Sequence, residues 1–207
     1  MNTLLQLNSS IFSTAGQSTQ LADEYVAHWR ARHPKGQVIV RDFARDPVPH
    51  LSAEEFQSFI ADPAQRSAAQ HAAVAYSDAL IDEIKRADVI VLALPMYNFG
   101  IPSMLKAYFD HIARAGVTFR YTEKGPEGLL AGKKVVAFAT RGGRYAGTPR
   151  DTQTPYVRDF LHLLGITDVQ FVYAESLNMG EASKQAALQR ARSEIQDLHA
   201  PELAAAA

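Results

Sequence analysis

The chain has 207 residues, with 21 basic and 22 acidic side chains giving a formal net charge of −1. That balance excludes a basic field that would recruit nucleic acid. A hydrophobic content of 47% against 21% charged residues excludes a disordered chain. With no cysteine, a disulfide framework, a thiol nucleophile and a thiolate metal site are also excluded. No apolar run approaches the ~20 residues of a membrane span. The start, MNTLLQLNSS, has neither a basic n-region nor a small-residue cleavage site. The expectation is a cytoplasmic α/β protein with one domain over 1–207 and no membrane contact.

Thr3–Leu7 is a short apolar run, read as a strand, and Asn8–Ser18 is a polar loop. Leu21, Tyr25, Val26 and Trp29 recur at helical spacing across Gln17–His33, and Pro34–Gly36 stops that helix. Val38–Phe43 reads as a second strand and Ser52–Asp62 as a short helix. Arg66–Arg86 is a long alanine-rich helix with Val74, Leu80, Ile81 and Ile84 inward. Val89–Leu94 is continuously apolar, as a central parallel strand buried on both faces requires. Met104, Leu105, Tyr108, Phe109 and Ile112 mark one face of the next helix. Lys133–Thr140 is a fourth strand, Thr152–Leu164 a helix, Asp168–Ala174 a fifth strand and Glu181–Leu198 a closing helix. The tail from about 200 to 207 is expected to fray. Strands alternating with helices predict a five-stranded parallel sheet, right-handed crossovers and helices on both faces. Ligands of such sheets bind outside the carboxyl ends of the strands, at a topological switch point. Three loops occupy those ends: Asn8–Ser18, Pro95–Ser103 and Arg141–Pro149.

The first loop is rich in hydroxyls (Ser10, Ser13, Thr14, Ser18) and runs into a helix N-terminus, a natural place for a phosphate. It lacks GxxxxGK[ST] and GxGxxG, which disfavours both a triphosphate and a pyrophosphate. One terminal phosphate fits, and so does an ordinary serine N-cap. The second loop sets Met96, Tyr97, Asn98 and Phe99 between two prolines, where a polar turn is the norm. A planar ring can lie against those side chains, or they can plug their own domain. The third loop, Thr140 to Gly147, brings paired glycines whose N–H groups can approach a ligand, or which simply make a tight turn. Together the three describe a site for a mononucleotide carrying a large planar ring, with flavin mononucleotide (FMN) the leading candidate.

The SSIxxxxxQS segment (Ser9–Ser18), the PMYNF box (Pro95–Phe99), ARAGVTFRYTEKGPEGL (Ala113–Leu129) and the TRGG turn (Thr140–Gly143) resemble the bacterial FMN-dependent NADH:azoreductases. These are also described as NADH:quinone oxidoreductases, and the resemblance spans nearly the whole chain. It implies a flavodoxin-like fold. It implies that Ser10, Gly16, Gln17 and Ser18 hold the FMN phosphate and nearby ribityl oxygens, and that Met96, Tyr97, Asn98 and Phe99 flank the isoalloxazine. Thr140, Arg141, Gly142 and Gly143 would meet its pyrimidine edge. Phe99, Phe119, Tyr121 and Tyr145 would line the substrate pocket. It further implies a homodimer with active sites at the interface, and NADH as electron donor. Gly16 stands where a serine is common, and Tyr145 where some relatives carry histidine.

The resulting expectation is ping-pong, two-electron reduction of quinones and reductive cleavage of azo compounds to amines, with the chemistry on flavin N5 and no protein catalytic residue. Seven histidines include no pair at metal-ligand spacing, so no metal is expected. An electron carrier of the same fold, without its own substrate, is the alternative, but such carriers are usually strongly charged. A signalling receiver would need acidic residues at the strand ends, where this chain has Asn8, Ser9 and Ser10.

Overall fold

The computed structural model describes residues 2–199, and the tail expected to fray lies outside them. β1 (Thr3–Asn8), β2 (Gln37–Asp42), β3 (Val89–Pro95), β6 (Lys134–Thr140) and β7 (Asp168–Ala174) form one parallel sheet in the order β2-β1-β3-β6-β7. From β1 the chain first steps outward to β2, then returns past β1 to build β3, β6 and β7. The direction therefore reverses between β1 and β3, and their carboxyl ends open the crevice that such a reversal creates.

Side chains alternate across the sheet, so each strand feeds two cores. Leu4, Val91, Val136, Phe138 and Val172 pack beneath α1 (Gln17–Arg32) and α6 (Glu181–Leu198), meeting Leu21, Tyr25, Trp29, Leu188 and Ile195. Leu5, Leu7, Ile90, Leu92 and Val135 face the other way. They meet Ile81 and Ile84 of α3 (Ala68–Arg86), Tyr108 and Phe109 of α4 (Ser103–Ile112), and Leu161 of α5 (Gln153–Leu163). Trp29 is one of the buried anchors of the first helix.

The helices differ in how they start. α2 (Ala53–Ile60) and α3 begin with reciprocal capping boxes, Ser52 with Glu55 and Ser67 with Gln70. α1 begins at Gly16, which has no side chain to cap with. The short strands β4 (Phe119–Thr122) and β5 (Gly125–Gly128) form an antiparallel hairpin that the hydrophobic pattern did not announce. Phe119 is its one buried side chain in β4, and Arg120, Tyr121 and Thr122 are exposed, so no alternation marks it. Gly128 anchors the hairpin: a Cβ there would lie 1.9 Å from the backbone nitrogen of Gly165. Among the described residues, no helix is long and apolar enough to cross a membrane.

Candidate functional site at the carboxyl edge of the sheet

The first loop leaves β1 pinned to β3. Ser9 donates to the Ala93 carbonyl from its hydroxyl at 2.6 Å and from its N–H at 3.3 Å. A 3₁₀ turn, Ser13–Ala15, follows, and Ser13 turns away to donate to Asp42 and accept from Arg45. The expected alternative of a serine N-cap is not what forms. Gly16 is the cap, and a Cβ there would meet the Ser10 Oγ at 2.2 Å. The first N–H of α1 with a helical partner is that of Gln20, donating to the Gly16 carbonyl at 3.0 Å. Among the described residues the N–H groups of Gln17, Ser18 and Thr19 have no acceptor, and the buried hydroxyls of Ser18 and Thr19 have no partner. Orphaned donors at the positive end of a 16-residue helix make a cradle for an anion.

In the second loop Tyr97 and Gly100 exchange backbone hydrogen bonds at 3.2 and 3.0 Å, closing a two-residue turn. Both central residues are left-handed, Asn98 at φ 49° and Phe99 at φ 66°. Asparagine tolerates this; phenylalanine does so rarely, at a cost of about 1–3 kcal/mol. The turn is held in place by α5. The buried Gln153 amide donates to the carbonyls of Pro95 at 2.9 Å and Gly100 at 3.3 Å, and Thr152 donates to the carbonyl of Phe99. The Tyr97 hydroxyl ties this loop to the first by accepting from the Ile11 N–H at 3.3 Å. Phe99 does not plug the domain. The residue is 48% exposed, and its ring stands edge-on to Tyr145 at 5.4 Å.

The third loop is built around Arg141, whose side chain is fully buried. Its guanidinium donates to Asp151 at 2.9 Å, Thr154 Oγ1 at 2.8 Å and Glu175 at 3.2 Å, and lies over the Tyr173 ring. Burial alone would raise the Asp151 pKa, but the bonds from Arg141 and Thr154 outweigh it and hold the carboxyl below its ordinary value. Arg141 is thus a strut, and its guanidinium is not available to a ring edge or to a substrate anion. Glu175 passes the support on by accepting from the N–H groups of Tyr145 at 2.8 Å and Ala146 at 2.9 Å. The segment after β7 then takes up the loop's carbonyls. Leu177, Asn178 and Ser176 N–H groups donate to Arg141, Gly142 and Gly143 at 3.1, 3.1 and 2.9 Å. With the carbonyls engaged behind, the N–H groups of Gly142 and Gly143 have no acceptor among the described residues.

These loops enclose one cleft. Of the residues singled out in the sequence, Ser10, Gly16, Gln17, Met96, Tyr97, Thr140, Arg141 and Gly142 line it, joined by Phe12 and Pro95. Ser18 is buried in the first turn of α1 just after Gly16 and Gln17, and Asn98, Phe99, Gly143 and Tyr145 continue the same loops. Phe119 and Tyr121 are not brought there within one chain. Phe119 is buried, Tyr121 is 76% exposed, and both border a separate recess with Phe56, Phe59, Ile60 and Arg114. Leu177, Asn178 and Lys184 line the cleft without having been anticipated. Neither they nor the supports Gln153 and Glu175 carry a motif, and they come to the site only through the folded β7–α6 connection and the start of α5.

The flavodoxin-like fold family matches residues 2–198. This chain belongs to that family. It is 55% identical over 196 residues to an FMN-dependent NADH:quinone oxidoreductase of Cellvibrio japonicus, covering 95% of this chain and 98% of the relative. It is likewise 55% identical over 192 residues to a protein of the same description from Alcanivorax borkumensis, covering 93% and 97%. Among solved structures, an azoreductase from Bacillus anthracis superposes with a TM-score of 0.88 at 24% identity, covering 96% of this chain and 99% of that one, and so shares the fold. For a flavodoxin-like protein the cleft sits at the expected β1/β3 reversal, and its chemistry fits a mononucleotide. Among the described residues, unpaired donors stand at the α1 N-terminus for a phosphate, aromatic and thioether side chains in the second loop offer a flat contact, and the Gly142 and Gly143 N–H groups are free to bond a polar ring edge.

Proposed function

We propose that this protein is an FMN-dependent NADH:quinone oxidoreductase that also cleaves aromatic azo compounds. The observation that carries the reading is the set of orphaned donors at Gln17, Ser18, Thr19, Gly142 and Gly143, flanking an aromatic turn at one sheet edge. The names of relatives 55% identical over most of the chain support it. When bound, FMN supplies two-electron chemistry, accepting hydride from NADH and passing electrons to the acceptor.

The chain's part is to hold and shape. The first turn of α1, with Ser10 and the Ser18 hydroxyl, takes the phosphate without a metal. Met96, Tyr97, Asn98 and Phe99 fix the ring. The Gly142 and Gly143 N–H groups stabilise negative charge at its pyrimidine edge, already aimed by the Arg141–Glu175 strut and therefore needing no reorganisation. Phe99 and Tyr145 form an aromatic wall for the substrate. The exposed Phe56, Ile60 and Tyr121 lie together on the outer surface, and we assign them to a homodimer interface through which a second copy brings Tyr121 to the active site. The cytoplasm is the proposed compartment.

The test is a visible spectrum of the purified protein with FMN, before and after anaerobic NADH. Bound flavin that bleaches with NADH and recovers on adding a quinone is the expected result. Bound flavin inert to both NADH and NADPH would replace the enzyme by an electron carrier, and no bound flavin would overturn the reading.

A further inference from the structure

The phosphate cradle has a charge deficit. A phosphate monoester carries close to two negative charges at neutral pH, yet no lysine or arginine occurs between Asn8 and Ser18. Gly16 contributes no hydroxyl, and its Cβ position is filled by Ser10. Among the described residues, two basic residues line the cleft, Arg141 and Lys184. Arg141 is consumed by Asp151 and Glu175. Lys184 is half-buried and, among the described residues, makes no ion pair.

The fold also sets Lys184 level with the cradle, on a helix of the same sheet face. α1 and α6 pack on the same face of the sheet, both start from its carboxyl edge, and Glu24 pairs with Arg192 at 3.0 Å. Gly16 precedes Glu24 by eight residues, and Lys184 precedes Arg192 by eight. In parallel helices that spacing is about two turns, or ~12 Å, toward the same edge. Lys184 in the first turn of α6 therefore stands level with the start of α1, and both reach the cleft with Gln17 and Asn178.

We infer that Lys184 is a cofactor-positioning residue that binds the phosphate of FMN from the α6 side, supplying the positive charge that the neutral first loop lacks. This rests on the flavin reading above. An ammonium–phosphate hydrogen bond is stronger than a neutral one, which suits a cradle whose own loop carries no cation.

The test compares FMN and riboflavin binding to apoprotein by flavin fluorescence, in wild type, Lys184→Gln and Lys184→Arg. Riboflavin has the same ring and ribityl chain without the phosphate. In K184Q, FMN affinity is expected to fall on the order of tenfold, riboflavin affinity to stay unchanged, and K184R to recover most of the loss. Added sodium chloride should weaken FMN binding to wild type more than to K184Q, because screening acts on the charge that K184Q has lost. Equal loss for both flavins would place Lys184 at the ring and overturn the assignment, as would unchanged FMN affinity with an unchanged salt response. If wild type takes up no FMN, the flavin reading itself fails, and the inference with it.

Discussion

Gly128 and Gly165 meet backbone against backbone, whereas at Gly142 and Gly143 the space a Cβ would take is bordered by side chains. A Cβ on Gly128 would collide with the Gly165 nitrogen at 1.9 Å and the Leu164 carbonyl carbon at 2.1 Å, atoms that cannot swing aside. A Cβ on Gly142 or Gly143 would meet only the ends of side chains, the Asn178 amide at 2.6 Å or the Tyr145 hydroxyl at 2.7 Å. The first pair is glycine for packing, since it lets the β4–β5 hairpin close on the turn after α5. The second is glycine for access, since its N–H groups are held open from behind. The identity of a glycine in the sequence does not distinguish these uses; what surrounds the missing Cβ does.

The largest effect is expected at the residue that carries the open pair. Arg141→Met leaves Asp151 and Glu175 without their shared cation in a buried setting, a loss of about 3–5 kcal/mol. Chemical denaturation should show it, together with loss of flavin from whatever remains folded. Gly128→Ala should cost about 3 kcal/mol through overpacking against rigid backbone, seen as a fall in Tm, with normal flavin content in the folded fraction. If it lowered flavin affinity while leaving Tm unchanged, the two pairs would not be distinct in the way described.

Acid should reach the strut before the packing pair. Asp151 titrates below its ordinary value in the fold, so its stabilising contribution is complete above the unfolded carboxylate pKa of about 4 and is lost as pH falls through the lower folded value. In Asp151→Asn the slope of stability against pH below about 4 should be shallower than in wild type. Gly128→Ala should keep the wild-type slope. The smallest change is expected for Gly142→Ala, under about 1 kcal/mol of stability because the exposed Asn178 side chain can move. Its measurable consequence would be weaker flavin binding, read by fluorescence titration.

The main strands and helices were legible because each is long and strongly patterned. Asp168–Ala174 and Glu181–Leu198 form over the spans the sequence assigns, and Val89–Leu94 is the central strand extended by Pro95. The hairpin was not legible, because its two four-residue strands pair only with each other and expose most of their side chains. At the site, the loops could be named from their position at strand ends. Their supports could not. Gln153 reads as an ordinary helical glutamine until it is found buried against Pro95 and Gly100, and Glu175 and Lys184 reach the third loop and the cleft from the far side of β7. The resemblance sets Arg141 at the pyrimidine edge of a ring, and only burial reveals that its side-chain partners are acidic groups of the same chain.

The left-handed Phe99 sets stability and occupancy against each other. Its half-exposed ring gains little from the core, while its backbone carries a conformational cost that glycine would not. Phe99→Gly should therefore spare the empty protein that strain, yet narrow the gap in Tm between flavin-free and flavin-loaded forms, because ligand-linked stabilisation falls with affinity. A screen that selected only for heat resistance of the empty chain would tend to discard this aromatic residue, and with it part of the reason the turn exists.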